Sequence, residues 1–323
     1  MRKKGVVFWR RRRTLAGRPS PSNRKGKAVP GAIAAMKGAD DMHKGYVMPR
    51  NDIDDFMKDG AMKDQYGIQF FAATDPKKAR ELLPPPLDLV DPERPLAYGY
   101  IVNIRQPTFA PWYMEGGWGL IARHEQYVGV YFIGLMLSGP GALMGAFSGR
   151  ETAGLPKKLC ERIVVERTGD EGHCFIERGG VRLLDVRTKI GAYNDPSFHT
   201  EQEGCSPDSP VDTDGACLLH KYSVDGFSGF TSISLLNYDS PTRFYSWEAA
   251  SAEITVGSSN DDRWGELPAR DVVGAGWMVS DNWVRGLSHI HEYPREEIAS
   301  IMGYLLPGRF DRSVFERNHQ RYE

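Results

Sequence analysis

Two adjacent lysines end the run Gly149-Arg150-Glu151-Thr152-Ala153-Gly154-Leu155-Pro156-Lys157-Lys158-Leu159. A lysine amine that sheds its proton is a nucleophile toward carbonyl carbon, whereas a charged one is not. A Lys-Lys pair is ordinarily a solvated surface feature, because lysine is almost never fully buried unless paired. Its position alters that expectation, since the pair follows the apolar, glycine-rich segment Val128 to Phe147 and sits where the chain leaves the core. Pro156 holds Leu155 extended, and along a strand Lys157 and Lys158 point to opposite faces. Only one of them can enter an apolar cavity, where desolvation favours the neutral, nucleophilic amine over the ammonium. Lys158, on the other face, is expected to act weakly through solvent. Upstream, Glu115 precedes Gly116-Gly117 and reads either as a proton carrier or as an exposed turn residue. Arg150 and Glu151 read either as a brace beside the site or as a surface pair contributing little.

The G-R-E-x-x-x-x-P-K-K-L pattern from Gly149 to Leu159 resembles the signature of acetoacetate decarboxylase and its superfamily, in which the first lysine forms a Schiff base. The segment Phe71 to Leu87, ending Pro84-Pro85-Pro86-Leu87, is similar to the family's first strand, helix and proline-rich turn. Tyr113 to Gly117 resembles the stretch that carries an active-site glutamate, and Leu267 to Glu292 resembles the C-terminal strand. The resemblance covers about residues 60–295. It implies Lys157 as the Schiff-base lysine, Lys158 as its companion, Glu115 as the active-site carboxylate, and no cofactor or metal. It also implies a keto-acid substrate and a homo-oligomer. Tyr100 stands where the decarboxylases carry a second acidic residue, and Gln65 where they carry a substrate-facing arginine. The charged pair that handles the acetoacetate carboxylate is therefore absent. A carbon–carbon lyase, most simply a decarboxylase, is the leading expectation. Aldol or dehydration chemistry on a 2-oxo acid through the same lysine is the alternative, and a non-catalytic ligand-binding protein is the third. Tyr100 or Tyr293 would supply a hydroxyl if either faces the cavity.

A second constellation, His289 and His291 followed by Glu296 and Gly303, fits most of a cupin-type metal motif, since ligands two apart on a strand face the same way. Trp283 stands in place of its leading glycine and no second histidine motif follows, which weighs against a metal. The chain has no G-x-x-x-x-G-K-[ST], H-E-x-x-H or G-x-S-x-G, and Gly139, Gly141, Gly145 and Gly149 read as turns and tight packing rather than a phosphate cradle.

The elements that must hold these residues are predicted to be mostly short strands punctuated by Gly, Pro, Asn and Asp. Tyr66 to Thr74 reads as a strand. Asp75 caps a helix that Pro76 starts and Pro84 stops. Strands follow at Leu96–Ile104, Trp118–Arg123, Val128–Leu137, Ile163–Arg167, Val181–Arg187, Cys217–Tyr222, Phe230–Leu236 and Ala252–Val256. Gly276 to Tyr293 is predicted extended, Pro294 to Leu305 a closing helix, Arg50 to Asp59 a short helix, and Asp195 to Asp214 a polar surface loop. The fold class is α+β, with mainly antiparallel strands wrapped into a barrel or sheet.

The 323 residues suit one large domain, 46–323, after a basic tail, 1–45. That tail holds 13 Lys/Arg against two acidic residues, leaving 28 Lys/Arg against 40 Asp/Glu for the body. Too little apolar material accompanies the tail's charges to offset ordering entropy, so it is expected to be disordered. An acidic body gives no footprint for nucleic acid. Val29 to Ala35, broken by Pro30 and Gly31, is too short for an export signal, and no segment has the apolar length of a membrane span. Cys160, Cys174, Cys205 and Cys217 form no C-x-x-C pair and read as intracellular thiols. A cytoplasmic protein is expected.

Overall fold

The computed structural model describes residues 60–314, together with 46, 47, 49–51 and 54. The basic tail and most of the expected Arg50–Asp59 helix lie outside the described residues. Fifteen strands join one sheet: β1 (Met62–Ala73), β2 (Asp88–Leu89), β3 (Leu96–Pro107), β4 (Tyr113–His124), β5 (Tyr127–Ser138), β6 (Lys157–Leu159), β7 (Arg162–Thr168) and β8 (Glu171–Arg178), then β9 (Val181–Ile190), β10 (Val211–Thr213), β11 (Ala216–Asp225), β12 (Gly229–Asp239), β13 (Thr242–Val256), β14 (Asp271–Asn282) and β15 (Gly286–Glu292). Within the described residues 60–314, three α-helices punctuate them: α1 (Pro76–Leu82), α2 (Ala142–Ala153) and α3 (Ile298–Leu305).

The sheet runs β15-β12-β11-β5-β4-β3-β1-β14-β13-β9-β8-β7, with β2 on β4, β6 on β5 and β10 on β13. Its end strands, β15 and β7, do not pair with each other, so the sheet is open and the expected barrel does not close. Alternation along each strand specifies which face is apolar; closure depends on the end strands meeting, which alternation does not encode.

Alternation divides the interior into two cores. On β3, Ala97 and Ile101 enter one core with Phe70, Trp118, Ile176 and Trp277. Tyr98, Tyr100, Val102 and Ile104 face the other, with Tyr113, Leu135, Phe244 and Met278. Residues two apart share a face, so this single strand borders the two environments between which the candidate side chains are divided.

Several expected elements need correction. Between Gly139 and Gly149 the close packing read for the glycines is present at Gly141, Gly145 and Gly149, but the last two sit inside a helix, α2, that packs on β4, β5, β6 and β11. The extended Gly276–Tyr293 segment is two strands, β14 and β15. The expected strand at Ala252–Val256 is only the end of β13. The closing helix begins as a short 3-10 turn, Arg295–Glu297, before α3. The helix after Asp75 forms as predicted, with the Asp75 carboxylate accepting from Lys78 N at 2.9 Å and Pro76 at its first turn.

Candidate active site

Strand β6 lies parallel to β5 in the register Leu135↔Lys157 and Met136↔Lys158. Leu135 belongs to the core around Tyr113 and Met136 to the core around Trp118. The two lysines inherit those opposite faces. Both are buried, Lys157 at 4% and Lys158 at 6% exposure.

Lys157 Nζ stands 2.8 Å from Glu115 Oε2 and 3.3 Å from the Gly145 carbonyl of α2. Glu115, also 4% exposed, accepts from the Tyr100 hydroxyl at 2.5 Å on its other oxygen. Burial, and then the Glu115 charge, push the Tyr100 phenol well above its ordinary value, so it remains a donor. Two glycines make room for the lysine. At Gly149 a Cβ would come 3.0 Å from Lys157 Cε, so the helix can cross directly over the side chain. Gly154 ends α2 at φ 73, where a Cβ would meet the His220 carbonyl at 2.2 Å, and turns the chain into Leu155-Pro156-Lys157.

Lys157 opens on a cavity of about 1090 Å³ lined mainly by apolar and aromatic side chains, including Tyr98, Phe132, Leu135, Tyr238, Phe244 and Met278. Gln65, Tyr100, Glu115 and Cys217 also line it. Burial, and then Glu115, push the Cys217 thiol up to about 12, which leaves it a neutral wall residue at ordinary pH. Lys157 and Arg94 are the only lysine or arginine among the described lining residues, and Arg94 is exposed. The loop between β9 and β11, expected to be a surface insertion, supplies Phe198, His199 and Gln202 to the cavity wall.

Lys158 departs from the expected solvent position. Its Nζ lies 2.9 Å from Asp262 and 3.2 Å from Asp311, and it donates to the Asp261 carbonyl at 3.0 Å. Arg178 closes the cluster on the same two carboxylates at 2.6 and 2.8 Å. A buried lysine facing an apolar core must be paired, and this one is paired twice.

The remaining sequence-derived candidates separate. Arg150 braces the main chain, donating to the Lys157 carbonyl at 3.4 Å, and does not line the cavity. Glu151 is exposed on α2 and outside the site. Tyr293 is on the far side, its hydroxyl bonded to His220 and to the Pro85 carbonyl, and supplies nothing to Lys157. His289 pairs with Glu292 at 3.0 Å, His291 packs on His124 and Tyr293, and Glu296 lies on the 3-10 turn. Among the described residues, no three His, Cys, Asp or Glu are grouped to hold a metal. Tyr98, Phe132, Tyr238 and Phe198 were not singled out from the sequence; the alternation Leu96-Tyr98-Tyr100 was the available signal for the first.

Residues 47–294 match the family model described as Acetoacetate decarboxylase (ADC). A CLA biosynthesis isomerase from Lactiplantibacillus plantarum is 32% identical over 285 residues, covering 86% of this chain and 98% of that one. Two solved structures share the fold. Acetoacetate decarboxylase from Legionella pneumophila superposes with a TM-score of 0.58 at 14% identity, covering 72% of this chain and 87% of that one. The enduracididine biosynthesis enzyme MppR, solved with the condensation product of pyruvate and imidazole 4-carboxaldehyde, gives 0.52 at 13% identity, covering 70% and 87%. The chain belongs to the acetoacetate decarboxylase family.

Proposed function

We propose that this protein forms a Schiff base between Lys157 and a ketone carrying a large apolar body, and that Glu115, steadied by Tyr100, moves protons at the carbons beside that ketone. One observation carries the reading: a buried lysine–carboxylate contact of 2.8 Å opening on a largely apolar cavity of about 1090 Å³. A cavity of this size exceeds what a four-carbon keto acid fills, and its lining matches an apolar substrate body.

The sequence of steps begins with transfer of a proton from the Lys157 ammonium to Glu115. The free amine adds to the carbonyl carbon, giving a carbinolamine. Glu115 then hands its proton to the departing hydroxyl, water leaves, and an iminium and a carboxylate remain. That carboxylate takes a proton from the carbon next to the iminium, and the C–H electron pair becomes the double bond of an enamine. Return of the proton to a different carbon of a conjugated substrate relocates a C=C bond, and hydrolysis restores ketone and lysine. No oxidant or reductant is consumed. The name of the isomerase relative supports this outcome.

Decarboxylation is a second reading, favoured by the family description. The same iminium would accept the electron pair of a C–CO2⁻ bond as carbon dioxide departs. Its weakness lies at Gln65, an uncharged residue that lines the cavity at the position read as the decarboxylases' substrate-facing arginine. An aldol or dehydration step on a 2-oxo acid would begin from the same enamine.

Borohydride trapping against apolar ketones, β-keto acids and 2-oxo acids, read by peptide mapping, tests the common step. Solvent-deuterium exchange beside the ketone tests proton movement. An adduct on Lys157 with exchange into apolar ketones, and slow carbon dioxide release from acetoacetate, is expected. Binding without any adduct would make the protein a ligand carrier and overturn the enzymatic reading.

A further inference from the structure

Strand β6, which delivers Lys157, is three residues long and pairs with no strand but β5, among the described residues. Something else must fix it. Four consecutive residues beyond α3, outside the span of the family match, each contact a different part of the turn that carries the lysine.

Gly308 packs against Pro156: a Cβ there would meet Pro156 Cβ at 2.9 Å and the Ile133 carbonyl at 2.7 Å. Arg309, 6% exposed, donates to the carbonyls of Gly154, of His220 at 2.8 Å and of Leu305 at 2.9 Å. Phe310 lies under the Arg150 guanidinium at 4.9 Å, and Arg150 itself donates to the Lys157 carbonyl. Asp311 holds Lys158 at 3.2 Å.

Arg309 is the informative member. A buried guanidinium is costly to desolvate, and no carboxylate among the described residues pairs with it. Its three acceptors come from the α2–β6 turn, β11 and α3, so one side chain ties three separate elements at the point where the chain enters β6. Burial lowers its pKa to about 10, a measure of that cost. Ending α3 would not require such an arrangement, since the last carbonyls of a helix can be met by water or by 3-10 bonds.

We propose that residues 308–311 are a positioning clasp that sets where the Lys157 amine stands relative to Glu115 and the cavity. The proposal rests on the Lys157 reading for its chemical consequence, but the placement of the amine is measurable without it. Displacement of a reacting group by about 1 Å can cost a hundredfold in rate, so a clasp of this kind acts on turnover more than on substrate affinity.

The test uses full-length Arg309→Lys and Phe310→Ala. Phe310 is partly exposed, so its removal is mild for folding. Trace acetylation with acetic anhydride, mapped by peptide, reports the accessibility of each lysine, with exposed Lys77 as the internal standard. In a folded variant, Lys157 acetylation should rise about tenfold for Arg309→Lys and about threefold for Phe310→Ala while Lys158, still held by Asp262 and the Asp261 carbonyl outside the clasp, stays unchanged, and adduct formation should fall by comparable factors with KM little altered. A parallel rise at Lys158 would mean general loosening and would overturn the proposal. So would folded variants with Lys157 labelling and adduct formation within about twofold of the parent. If Arg309→Lys does not fold, Phe310→Ala decides on the same measurements. If no ketone is trapped by the parent protein, the acetylation pattern alone decides, and failure of the Schiff-base reading is told apart from failure of the clasp.

Discussion

Lys157 and Lys158 are neighbours of one residue type, both buried, on opposite faces of a three-residue strand. Lys158 meets two carboxylates and a carbonyl, with Arg178 bridging the same two carboxylates, and it does not line the cavity. Lys157 meets one carboxylate and one carbonyl, and its remaining surroundings are a large cavity. Burial alone therefore does not mark a reactive lysine. What separates the two is the balance of charge and the space beside the amine: a doubly paired ammonium in a filled core is structural, whereas a singly paired one facing a cavity can pass its proton to its partner and meet a carbonyl.

The sharpest way to break this contrast is at Lys157. Lys157→Ala should abolish borohydride trapping altogether, and a variant that still gave a mapped adduct on Lys158 would remove the distinction. Glu115→Gln comes next. The amide keeps the shape of the site but cannot accept a proton, so turnover should fall by about a hundredfold to ten-thousandfold. Steady-state rates of solvent-deuterium exchange check this, and an unaltered rate would transfer proton movement to another group.

On the closed face the expected effect is on stability. Lys158→Met removes the cation between Asp262 and Asp311, whose remaining partner is Arg178. Breaking a buried charge cluster from one side costs about 3–5 kcal/mol, and urea denaturation should show a loss of that order. The trapped adduct should still map to Lys157. A neutral effect on stability would mean that the cluster is well hydrated and that the two faces are less different than their contacts suggest.

Much of this contrast was legible in the sequence. Pro156 before a Lys-Lys pair, after an apolar segment, fixed the alternation, and the register of β6 on β5 places the lysines on opposite faces accordingly. Glu115 was recoverable only through the family resemblance, because its partner lies 42 residues away and no local pattern joins them. The burial of Lys158 was not legible. Its partners Asp262 and Asp311 are 104 and 153 residues distant, and solvent is the ordinary fate of a lysine that does not enter a cavity. Helix α2 is not legible because its glycines imitate turn chemistry, although Gly149 is there to let Lys157 pass beneath it and Gly145 to pack on Leu137 and Tyr113. The polar composition of Asp195 to Asp214 predicts a surface loop, yet Phe198 packs on Phe71 and Tyr193 and lines part of the cavity wall. Tyr293 was misplaced for the opposite reason: its distance along the chain from Lys157 says nothing about which face of the sheet it occupies.

The smallest expected effect probes the closed face through pH. His220 is 1% exposed, and the Tyr293 hydroxyl that lies 2.9 Å from its Nε2 donates its own proton to the Pro85 carbonyl. The neutral ring therefore donates from Nε2, which leaves Nδ1 a lone-pair acceptor without a partner among the described residues. Burial, followed by the nearby Arg309 charge, pushes the ring down to about 3 from an ordinary 6.5. Between those values the unfolded chain binds a proton that the folded one refuses, so stability is present in full above about pH 6.5 and falls as pH drops. The slope approaches about 1.4 kcal/mol per pH unit, or about 2 kcal/mol lost by pH 5. The carboxylates with lowered values, such as Asp185, Asp212 and Asp311, have ordinary values near 3.8, so their contribution is lost chiefly below pH 5. Urea midpoints from pH 7 to 5 should therefore decline in the parent protein. In His220→Gln, which accepts no proton, the decline should flatten by most of that amount even if the variant starts from a lower midpoint. An equal decline in both proteins would assign the acid sensitivity to groups elsewhere. It would also mean that the core beside Arg309 admits enough water to hold a charged imidazole, which would weaken the picture of this face as closed.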